Sequence, residues 1–520
     1  MLTRLKINGF KNLVDVDVRF GPFTCIAGSN GVGKSNLFDA IGFLSALAEM
    51  PLIEAAKSIR DGKTLDVANL FHRVGSRRDA TMSFMAEMII PASGADDLGQ
   101  AAEASITFLR YSLELGLQQS GGSVSYGGLA LRKESLDHIN INDATRSLLF
   151  PHSKGWRDST VKGRRTVPFI STEDSSSGTD GADTVIQLHQ DRGKSGGRPA
   201  GFRATTLPRT VLSSVNAAEN RTAVLARREM QSWRRLQLEP AALREPDTYT
   251  PVSRLGSNGS HLAATLYHLA HGGAAPPGMA SKRSEGPDSS AVYARVANRL
   301  AGLIEDVREV GVDDDPQREL WTLFALGNDG TKHPARALSD GTLRFLALAI
   351  IDLDPGAQGV ICLEEPENGI HPARIPAMLR LLKDIAVDTN EPIGPDNPLR
   401  QVIINTHSPS VVSEVDDDSL IVAKLGEMVR NGERFPSVRF VALSDTWRTT
   451  KGDEPADEVP KGDILVYLEG PRPTLESDSE DESPLPENGH PTRTRSPRIR
   501  HRVRDRDDLQ RLLDFGDDSP

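Results

Sequence analysis

The stretch Gly28-Ser29-Asn30-Gly31-Val32-Gly33-Lys34-Ser35-Asn36 fits the pattern G-x-x-x-x-G-K-[ST]. Glycines let the backbone curl until several N–H groups point at one anion. The lysine of this pattern brings positive charge to the outer phosphates of a nucleotide, and the next hydroxyl is a ligand for Mg²⁺. The stretch therefore predicts a phosphate-binding loop. The residues expected to hold the nucleotide are Gly28, Asn30, Gly31, Gly33, Lys34, Ser35 and Asn36.

The sequence on both sides of this loop matches what a phosphate loop requires. Residues 23–27, Phe-Thr-Cys-Ile-Ala, form a short apolar run typical of a buried strand. After the loop, apolar residues recur at helical spacing, at Leu37, Ala40, Ile41, Leu44 and Leu47. A glycine-rich turn with a chance lysine is the alternative. The strand before the loop and the helix after it favour the phosphate-binding interpretation.

Composition limits the class of protein. A chain of 520 residues is long enough for two or three folded units. It has no uncharged apolar run of about 18 residues, so no membrane span is expected. Its two cysteines, Cys25 and Cys362, lie in apolar runs, which indicates a reducing, cytoplasmic location without disulfides. The formal charge of −11 argues against a protein that coats nucleic acid with its whole surface.

Alternating patterns predict a β layer after the first helix. Strands are expected at residues 14–20, 80–90 and 104–117, and such strands in series favour an antiparallel layer. A basic helix is expected at 217–237, with Arg227, Arg228, Arg234 and Arg235, and another helix at about 291–309. Residues 171–201 and 272–290 are expected to be loops. From residue 472 onward the composition predicts a disordered charged tail, with a short helix at 507–513.

A second apolar run ends in two carboxylates. Residues 359–363, Gly-Val-Ile-Cys-Leu, are followed by Glu364 and Glu365. The ends of parallel strands line the ligand crevice of α/β sheets. We therefore expect Glu364 to hold Mg²⁺ and Glu365 to act as the general base that polarises the attacking water. A solvated pair of surface glutamates is the alternative, and the buried strand before the pair argues against it.

Two further motifs follow the same logic. Ser339 and Gly341 begin a predicted helix and provide a second anion site at its N-terminus. The apolar strand at 401–406 ends in His407, which we expect to contact the terminal phosphate. Taken alone, the first would be an ordinary helix cap and the second a structural histidine.

The order of these motifs resembles the ABC-type ATPase heads of the SMC/RecF/OLD superfamily, in particular its stand-alone "AAA family ATPase" proteins. The resemblance rests on Leu5-Lys6-Ile7-Asn8-Gly9-Phe10-Lys11-Asn12, the loop at 28–36, Ser339-Asp340-Gly341-Thr342, the run Glu364-Glu365-Pro366-Glu367-Asn368-Gly369-Ile370-His371-Pro372, and Thr406-His407-Ser408-Pro409. It covers about residues 1–50 and 330–445. Glu364 stands where Asp is commoner, and the glutamine of the usual Q-loop is not located.

The resemblance implies an α/β fold: an ABC-type head with a mixed P-loop sheet, an antiparallel β layer, a helical insertion and a disordered C-terminal tail. The expected domains are a split ATPase core (1–50 and 330–445), an insertion (51–330), a terminal strand region (446–471) and the tail (472–520). Glu367–His371 would be the loop that couples two sites, and Lys11 and Asn12 would reach the nucleotide. The resemblance also implies a homodimer, or a higher oligomer, closed by ATP and Mg²⁺, with the loop of one copy facing Ser339–Gly341 of another.

Three functions remain open from the sequence. The first is an ATPase switch in antiphage defence or DNA repair that acts on DNA or RNA with a separate effector or nuclease protein. Arg73, Arg77 and Arg78, or Arg164 and Arg165, or the helix at 217–237 would line its nucleic-acid groove, and solvated charged faces are the alternative. The second is the nucleotide-binding subunit of a membrane transporter. The third is an OLD-like nuclease, because residues 462–470 faintly resemble the start of a Toprim domain.

Overall fold

The fold is described from a computed structural model of the chain. The described residues are 1–59, 66–119, 126–173, 184–191, 198–249, 252, 254–272, 289–301, 303–304, 307–430, 432–452, 454–460, 462–464 and 501–506.

Runs of strands are separated by helices in the described parts of the chain. In chain order the strands are β1 Leu2–Asn8, β2 Val16–Arg19, β3 Phe23–Ala27, β4 Arg73–Val74, β5 Arg77–Arg78, β6 Thr81–Ile89, β7 Ser93–Ala95, β8 Ala101–Glu103, β9 Phe108–Gln119, β10 Tyr126–His138, β11 Ile170–Glu173, β12 Val185–Leu188, β13 Ala200–Arg203, β14 Arg234–Leu236, β15 Asp247–Thr248, β16 Val307–Asp315, β17 Leu320–Gly327, β18 Lys332–Pro334, β19 Gly359–Glu364, β20 Arg400–Thr406, β21 Leu420–Arg430 and β22 Glu433–Ala442.

The helices lie between and after these strands. They are α1 Lys34–Leu47, α2 Leu52–Ser58, α3 Ala144–Ser147, α4 Lys154–Thr160, α5 Arg221–Gln231, α6 Pro240–Arg244, α7 Leu262–Ala270, α8 Ser289–Ala301, α9 Asp340–Leu353, α10 Ile375–Ile385, α11 Pro409–Glu414 and α12 Trp447–Thr450. Among the described residues, no helix combines the length and the apolar character that a membrane crossing requires.

A six-stranded sheet carries the motifs. Its order is β14-β19-β20-β3-β21-β22, and its first five strands are parallel. The last strand, β22, is antiparallel to β21. Every residue of β3 and β20 is buried, as expected for central strands covered on both faces. The apolar runs at 23–27, 359–363 and 401–406 are therefore neighbouring strands of one sheet.

An eight-stranded antiparallel sheet forms the second layer. Its order is β13-β12-β11-β10-β9-β6-β1-β2. The burial of β2 alternates along the strand, which reflects one covered and one solvated face. The predicted antiparallel layer is confirmed, and the chain has the predicted mixed α/β fold. A third, smaller sheet contains β15, β16, β17 and β18, and its Trp321 ring stacks 4.4 Å from Tyr267 of α7.

The main core lies around α1, between the two large sheets. One continuous hydrophobic cluster contains Ile26 and Ile403 from the six-stranded sheet, Phe43 from α1 and Phe84 from the antiparallel sheet. The rings of Phe43 and Phe84 meet edge to face with their centroids 5.8 Å apart. The helix that follows the phosphate loop is therefore fixed from both sides.

Three predictions about secondary structure are wrong. Residues 171–201, predicted to be loops, contain β12 and parts of β11 and β13, because these strands extend the antiparallel sheet beyond β10. The basic helix predicted at 217–237 ends at Gln231, and Arg234 and Arg235 lie on β14. Pairing with the free edge of β19 overrides the helical pattern there. The terminal strand region predicted at 446–471 contains α12, and residues 462–464 are helical. Pro460 has no N–H for a strand ladder, and its carbonyl accepts a hydrogen bond from the Asp463 N–H at 3.0 Å.

Other predicted segments are only partly described. The helix expected at about 291–309 is α8, Ser289–Ala301, and the chain is already a strand by Val307. Much of the predicted loop at 272–290 lies outside the described residues, as do 465–500 and 507–520, which include most of the tail and its expected short helix. Residues 501–506 of the tail are described and pack against the body.

Gln401 of β20 connects the two large sheets. Its side chain is fully buried, and its Nε2 donates to the carbonyls of Leu2 and Gly21 at 2.8 Å each. Its Oε1 accepts a hydrogen bond from the Leu2 N–H, also at 2.8 Å. The first strand of the antiparallel sheet thus has its backbone groups satisfied by a side chain of the other sheet.

Replacing this amide tests the connection. Gln401→Leu is expected to lower the free energy of unfolding by about 2–4 kcal/mol, because it leaves three backbone groups buried without partners. Urea denaturation followed by circular dichroism measures the change. Gln358→Leu, at an exposed position, is the matched control and should change stability by less than about 0.5 kcal/mol. Equal effects of the two substitutions would contradict the assignment.

Candidate functional site

The predicted phosphate loop connects β3 to α1. The loop leaves β3 after Ala27, and α1 begins at Lys34. The Lys34 ammonium folds back over the loop and donates to the carbonyl of Gly28 and, at 2.9 Å, to that of Ser29. Burial lowers the pKa of Lys34, while the negative charges of Glu365 and Glu367 oppose that change. The Lys34 ammonium thus lies inside the loop, where the carboxylates that follow β19 stabilise its positive charge.

Gly33 closes the loop in a conformation that excludes a side chain. Its φ is 116°, which favours glycine, and a Cβ built there would lie 2.4 Å from Asn12 Nδ2. The Asn12 amide occupies that space, donating to the Val32 carbonyl at 3.2 Å and accepting from Asn36 Nδ2 at 2.8 Å. Asn12 and Asn36, both predicted to contact nucleotide, therefore brace the loop against the N-terminal hairpin. Asn30 and Gly31 are exposed at its tip.

Parallel pairing brings the other predicted residues to the same edge. β20 lies between β3 and β19, with Thr406 opposite Ala27 and Asn405 opposite Glu364. The Gly28 N–H donates to the Thr406 carbonyl at 3.2 Å, so the phosphate loop starts where β20 ends. Because all three strands point the same way, their carboxyl ends place Lys34, Glu364, Glu365 and His407 along one side of the sheet.

Three side chains hold Glu365 by hydrogen bonds. Its carboxylate accepts from His407 Nδ1 at 2.8 Å and from Asn368 Nδ2 at 2.9 Å. Its N–H donates to Asn405 Oδ1 at 3.0 Å, and its φ of 44° is unusual for a residue with a side chain. Partial burial alone would raise the pKa of Glu365, but the bonds from Asn368 and His407 outweigh it and lower that pKa. The carboxylate is therefore ionised and oriented, as a general base must be.

Glu364 and Ser35 form an oxygen pair suited to Mg²⁺. The Ser35 hydroxyl donates to Glu364 Oε2 at 3.4 Å, and Arg235 Nε lies 3.6 Å from Glu364 Oε1. Mg²⁺ usually takes one or two protein oxygens and completes its shell with water and phosphate oxygens. Hydroxyl and carboxylate oxygens fit that donor set. No cluster of three or more His, Cys, Asp or Glu that could hold a metal occurs in the described parts of the chain.

A cluster of charged residues surrounds the buried carboxylate of Asp39. Asp39 of α1 is 2 % exposed; its Oδ2 contacts Lys11 Nζ at 2.7 Å and its Oδ1 contacts Arg235 Nη1 at 2.8 Å. Lys11, predicted to reach the nucleotide, is thus tied to α1 one turn from the phosphate loop. Arg235 joins Asp39 to Glu364, so charged residues from the hairpin, α1, β14 and β19 form one network.

Sequence reasoning missed three members of the site, Asp39, Arg235 and Asn405. A fourth, Asn368, lies in the loop 367–371 that the family resemblance expected to couple two sites, but its bond to Glu365 was not predicted. A carboxylate at position 39, between the apolar residues of a helix, was a usable signal, since buried carboxylates need partners. Arg235 was hidden by the wrong helix prediction. Asn368 and Asn405 form hydrogen bonds with Glu365 that no local sequence pattern reveals.

The predicted second anion site lies at the start of α9. Ser339 is exposed, and its hydroxyl accepts from the Thr342 N–H at 3.2 Å, which makes it the N-cap. A Cβ at Gly341 would lie 3.0 Å from the Gly369 carbonyl, so α9 begins against the loop after Glu365. Among the described residues, no hydrogen bond links 339–342 to 28–36. The described hydrogen bonds of Ser339 stay within the start of α9 and do not tie it to this chain's own phosphate loop.

The predicted basic clusters differ in their surroundings. Arg227 is buried and paired with Asp97 at 2.6 Å, and Arg165 pairs with Asp191 at 3.0 Å. Neither is available to line a groove. By contrast, Arg73 and Arg77 are exposed on the β4–β5 hairpin.

Two protein families match the chain. Residues 4–57 match a family described as an AAA domain. Residues 228–413 match one described as an AAA domain, putative AbiEii toxin, Type IV TA system. The two matches contain the phosphate loop, the Glu364–Glu365 pair and His407. Two segments of the chain are thus similar to AAA-type ATPase domains, which supports a relationship to the SMC/RecF superfamily of ABC-type ATPases. Nucleotide hydrolysis is the general property of such domains.

Curated relatives of the chain are DNA replication and repair proteins RecF. The Paenarthrobacter aurescens protein is 39 % identical over 62 residues, which is 12 % of this chain and 16 % of the relative. The Magnetococcus marinus protein is 34 % identical over 113 residues, 20 % of this chain and 30 % of the relative. The Porphyromonas gingivalis protein is 46 % identical over 46 residues, 9 % and 13 %. The chain thus matches less than a third of each relative's length.

Solved structures of SMC heads align over a larger share of the chain. An SMC head bound to the C-winged helix domain of ScpA aligns with 85 % of this chain and 98 % of its own, at 13 % identity and a TM-score of 0.39. The head domain from Thermotoga maritima aligns with 85 % and 99 %, at 11 % identity and a TM-score of 0.34.

Alanine substitutions at two glycines near the site are expected to have opposite effects. Gly33→Ala should abolish nucleotide binding, because the new methyl group requires a strained φ and displaces Asn12 from the loop. Gly42→Ala is the matched control: it lies within α1 with no atom near its Cβ position, and should stabilise the protein by about 0.5–1 kcal/mol. Isothermal titration with ATP and thermal unfolding measure the two effects. Normal ATP affinity in Gly33→Ala would refute the assigned loop geometry.

Proposed function

We propose that the chain is an ATP-binding and ATP-hydrolysing switch, with its active site at the carboxyl edge of the six-stranded sheet. The observation that carries this proposal is the meeting of Lys34, Glu364 and the Glu365–His407 pair at that edge, from three adjacent parallel strands. A phosphate loop alone would support binding only. A fixed, ionised carboxylate beside it supports hydrolysis.

Each residue of the site has a specific role in this proposal. Lys34 Nζ and backbone N–H groups of the loop after Gly28 bind the phosphates, and Ser35 Oγ and Glu364 would hold Mg²⁺. The metal, when bound, supplies positive charge that offsets the charge of the phosphate oxygens. Glu365 accepts a proton from the attacking water, and Asn368 and His407 keep its carboxylate oriented. The second nitrogen of the His407 ring remains for the terminal phosphate.

The exposed helix start at Ser339 supports a composite, dimeric site. Ser339 and Gly341 present backbone N–H groups at the N-terminus of α9, where an anion is stabilised. Because no described hydrogen bond ties them to the phosphate loop of the same chain, we propose that a second copy supplies them to the nucleotide. ATP would then close a homodimer and hydrolysis would reopen it.

We further propose that the switch controls a nucleic-acid-directed activity, in antiphage defence or DNA repair, together with a separate effector or nuclease. The β4–β5 hairpin supports a nucleic-acid contact. Lys11 N donates to the Leu70 carbonyl at 2.8 Å and His72 N to the Gly9 carbonyl at 2.9 Å, so the hairpin is anchored to the turn that carries Lys11. A polyanion on Arg73 and Arg77 would therefore lie close to the nucleotide site. Cys25 and Cys362 are both free and buried, which fits the expected cytoplasmic location.

Two substitutions separate ATP binding from hydrolysis. Glu365→Gln should lower kcat at least about a hundredfold while ATP still binds, because it removes the base and keeps the loop. Lys34→Ala should abolish productive binding, because the loop loses its charge. Gel filtration with saturating ATP and Mg²⁺ should find Glu365→Gln as a trapped dimer and Lys34→Ala as a monomer.

Glu433→Gln, an exposed glutamate on β22, is the control and should behave as wild type. A Glu365→Gln protein that stays monomeric at saturating ATP would overturn the composite dimer. ATP hydrolysis at the wild-type rate in this variant would overturn the assigned base.

The salt dependence of nucleic-acid binding tests the role of the β4–β5 hairpin. Replacing both Arg73 and Arg77 by Ala should weaken binding to a duplex oligonucleotide and reduce the slope of log affinity against log salt by about 2, because two phosphate contacts are lost. Fluorescence anisotropy over a salt series gives the slope. The control replaces Arg308 and Arg318, which are exposed on and after β16. An unchanged slope in the hairpin variant would exclude this surface.

A further inference from the structure

A short segment of the charged tail is docked on the ATPase body, beside the helix that follows His407. The segment is His501-Arg502-Val503-Arg504-Asp505-Arg506, called the strap below. It contacts the C-terminal end of α11 and the residues after it, Val415–Asp417. This place is occupied by chain that is at least 84 residues further on in sequence.

The strap is anchored by an apolar residue and by its backbone. Val503 is fully buried and belongs to the same hydrophobic cluster as Val411, Val412 and Val415. The Val503 N–H donates to the Val415 carbonyl at 3.0 Å, and the Asp417 N–H donates to the His501 carbonyl at 3.0 Å. These contacts continue the core of the body, so the docking has the character of folded structure.

Charge complements this anchor. The surface under the strap, called the acidic edge below, consists of Glu414, Asp416 and Asp417. Glu414 pairs with Arg502 at 3.3 Å and with Arg504 at 2.5 Å. Arg506 donates to the Ser444 carbonyl at 3.0 Å and lies 3.8 Å from Asp417. The acidic edge therefore fits a basic segment with a central aliphatic residue.

The docked position matters because α11 is too short to be stable alone. It spans six residues, Pro409–Glu414, and an isolated helix of that length does not persist in water. Its N-cap residue is Ser408, whose N–H donates to Thr406 Oγ1 at 2.9 Å, so the turn that carries His407 and the start of α11 are hydrogen-bonded to each other. Whatever fixes the end of α11 also limits the motion of His407.

We propose that the acidic edge is a docking site for a basic peptide segment, that residues 501–506 of this chain are its ligand, and that docking positions His407 for ATP turnover. The coupling to turnover rests on the proposed function, while the docking does not. The strap is a positioning element: it contacts neither the phosphate loop nor the carboxylate pair.

The experiment uses the full chain and a reversal of charge. Glu414→Arg should release the strap, because it turns two attractions into repulsions. Amide hydrogen exchange without nucleotide should then rise about tenfold or more at residues 407–415. kcat should fall about fivefold, with KM for ATP changed less than about twofold, because positioning and not binding is lost.

A triple variant, Glu414→Arg with Arg502→Glu and Arg504→Glu, restores opposite charges and should restore both the slow exchange and kcat. Arg318→Glu, at a residue 77 % exposed after β16, is the matched control. Unchanged exchange in Glu414→Arg, or no rescue by the triple variant, overturns the docking site. Faster exchange with unchanged kcat overturns the coupling. A wild-type chain without ATPase activity would refute the proposed function, and the exchange data would still decide whether the strap docks.

Discussion

The side-by-side parallel pairing of β3, β20 and β19 is the constraint on which the site depends. Each of these strands ends in a group with a different chemical property: a glycine-rich loop, a histidine and two carboxylates. None of the three is a site by itself. Their shared direction and register bring the groups to one edge, and the hydrogen bond from Gly28 to the Thr406 carbonyl fixes that register at the edge itself.

Much of this edge could be predicted, because its parts are local. The apolar runs before residues 28, 364 and 407 identify buried strands, and the residues after them carry recognisable chemistry. The antiparallel layer was predicted for the same reason, from alternation within single strands. The identity of neighbours in the sheet was not predicted, because no local pattern contains it.

What failed was decided by tertiary contacts. Arg234 and Arg235 continue a helical pattern, yet they pair with β19, since an open strand edge offers backbone partners that a short helix end lacks. As a result, Arg235 belongs to the site rather than to a basic surface. The same holds for Arg227 and Arg165, whose acidic partners lie more than twenty residues away in sequence. Charge patterns along a chain cannot reveal which charges are already paired.

Neighbouring strands of the six-stranded sheet are far apart in sequence, which has a consequence for synthesis on the ribosome. Ser35 and Glu364, which form the proposed metal pair, are 329 residues apart. At about 5–20 residues per second, the second emerges about 15–65 s after the first. During that interval β3, whose five residues are all buried in the folded protein, lacks both of its neighbours, which exposes it to aggregation. The nascent chain therefore has reason to engage chaperones, and the proposed nucleotide site is complete only after His407 has emerged.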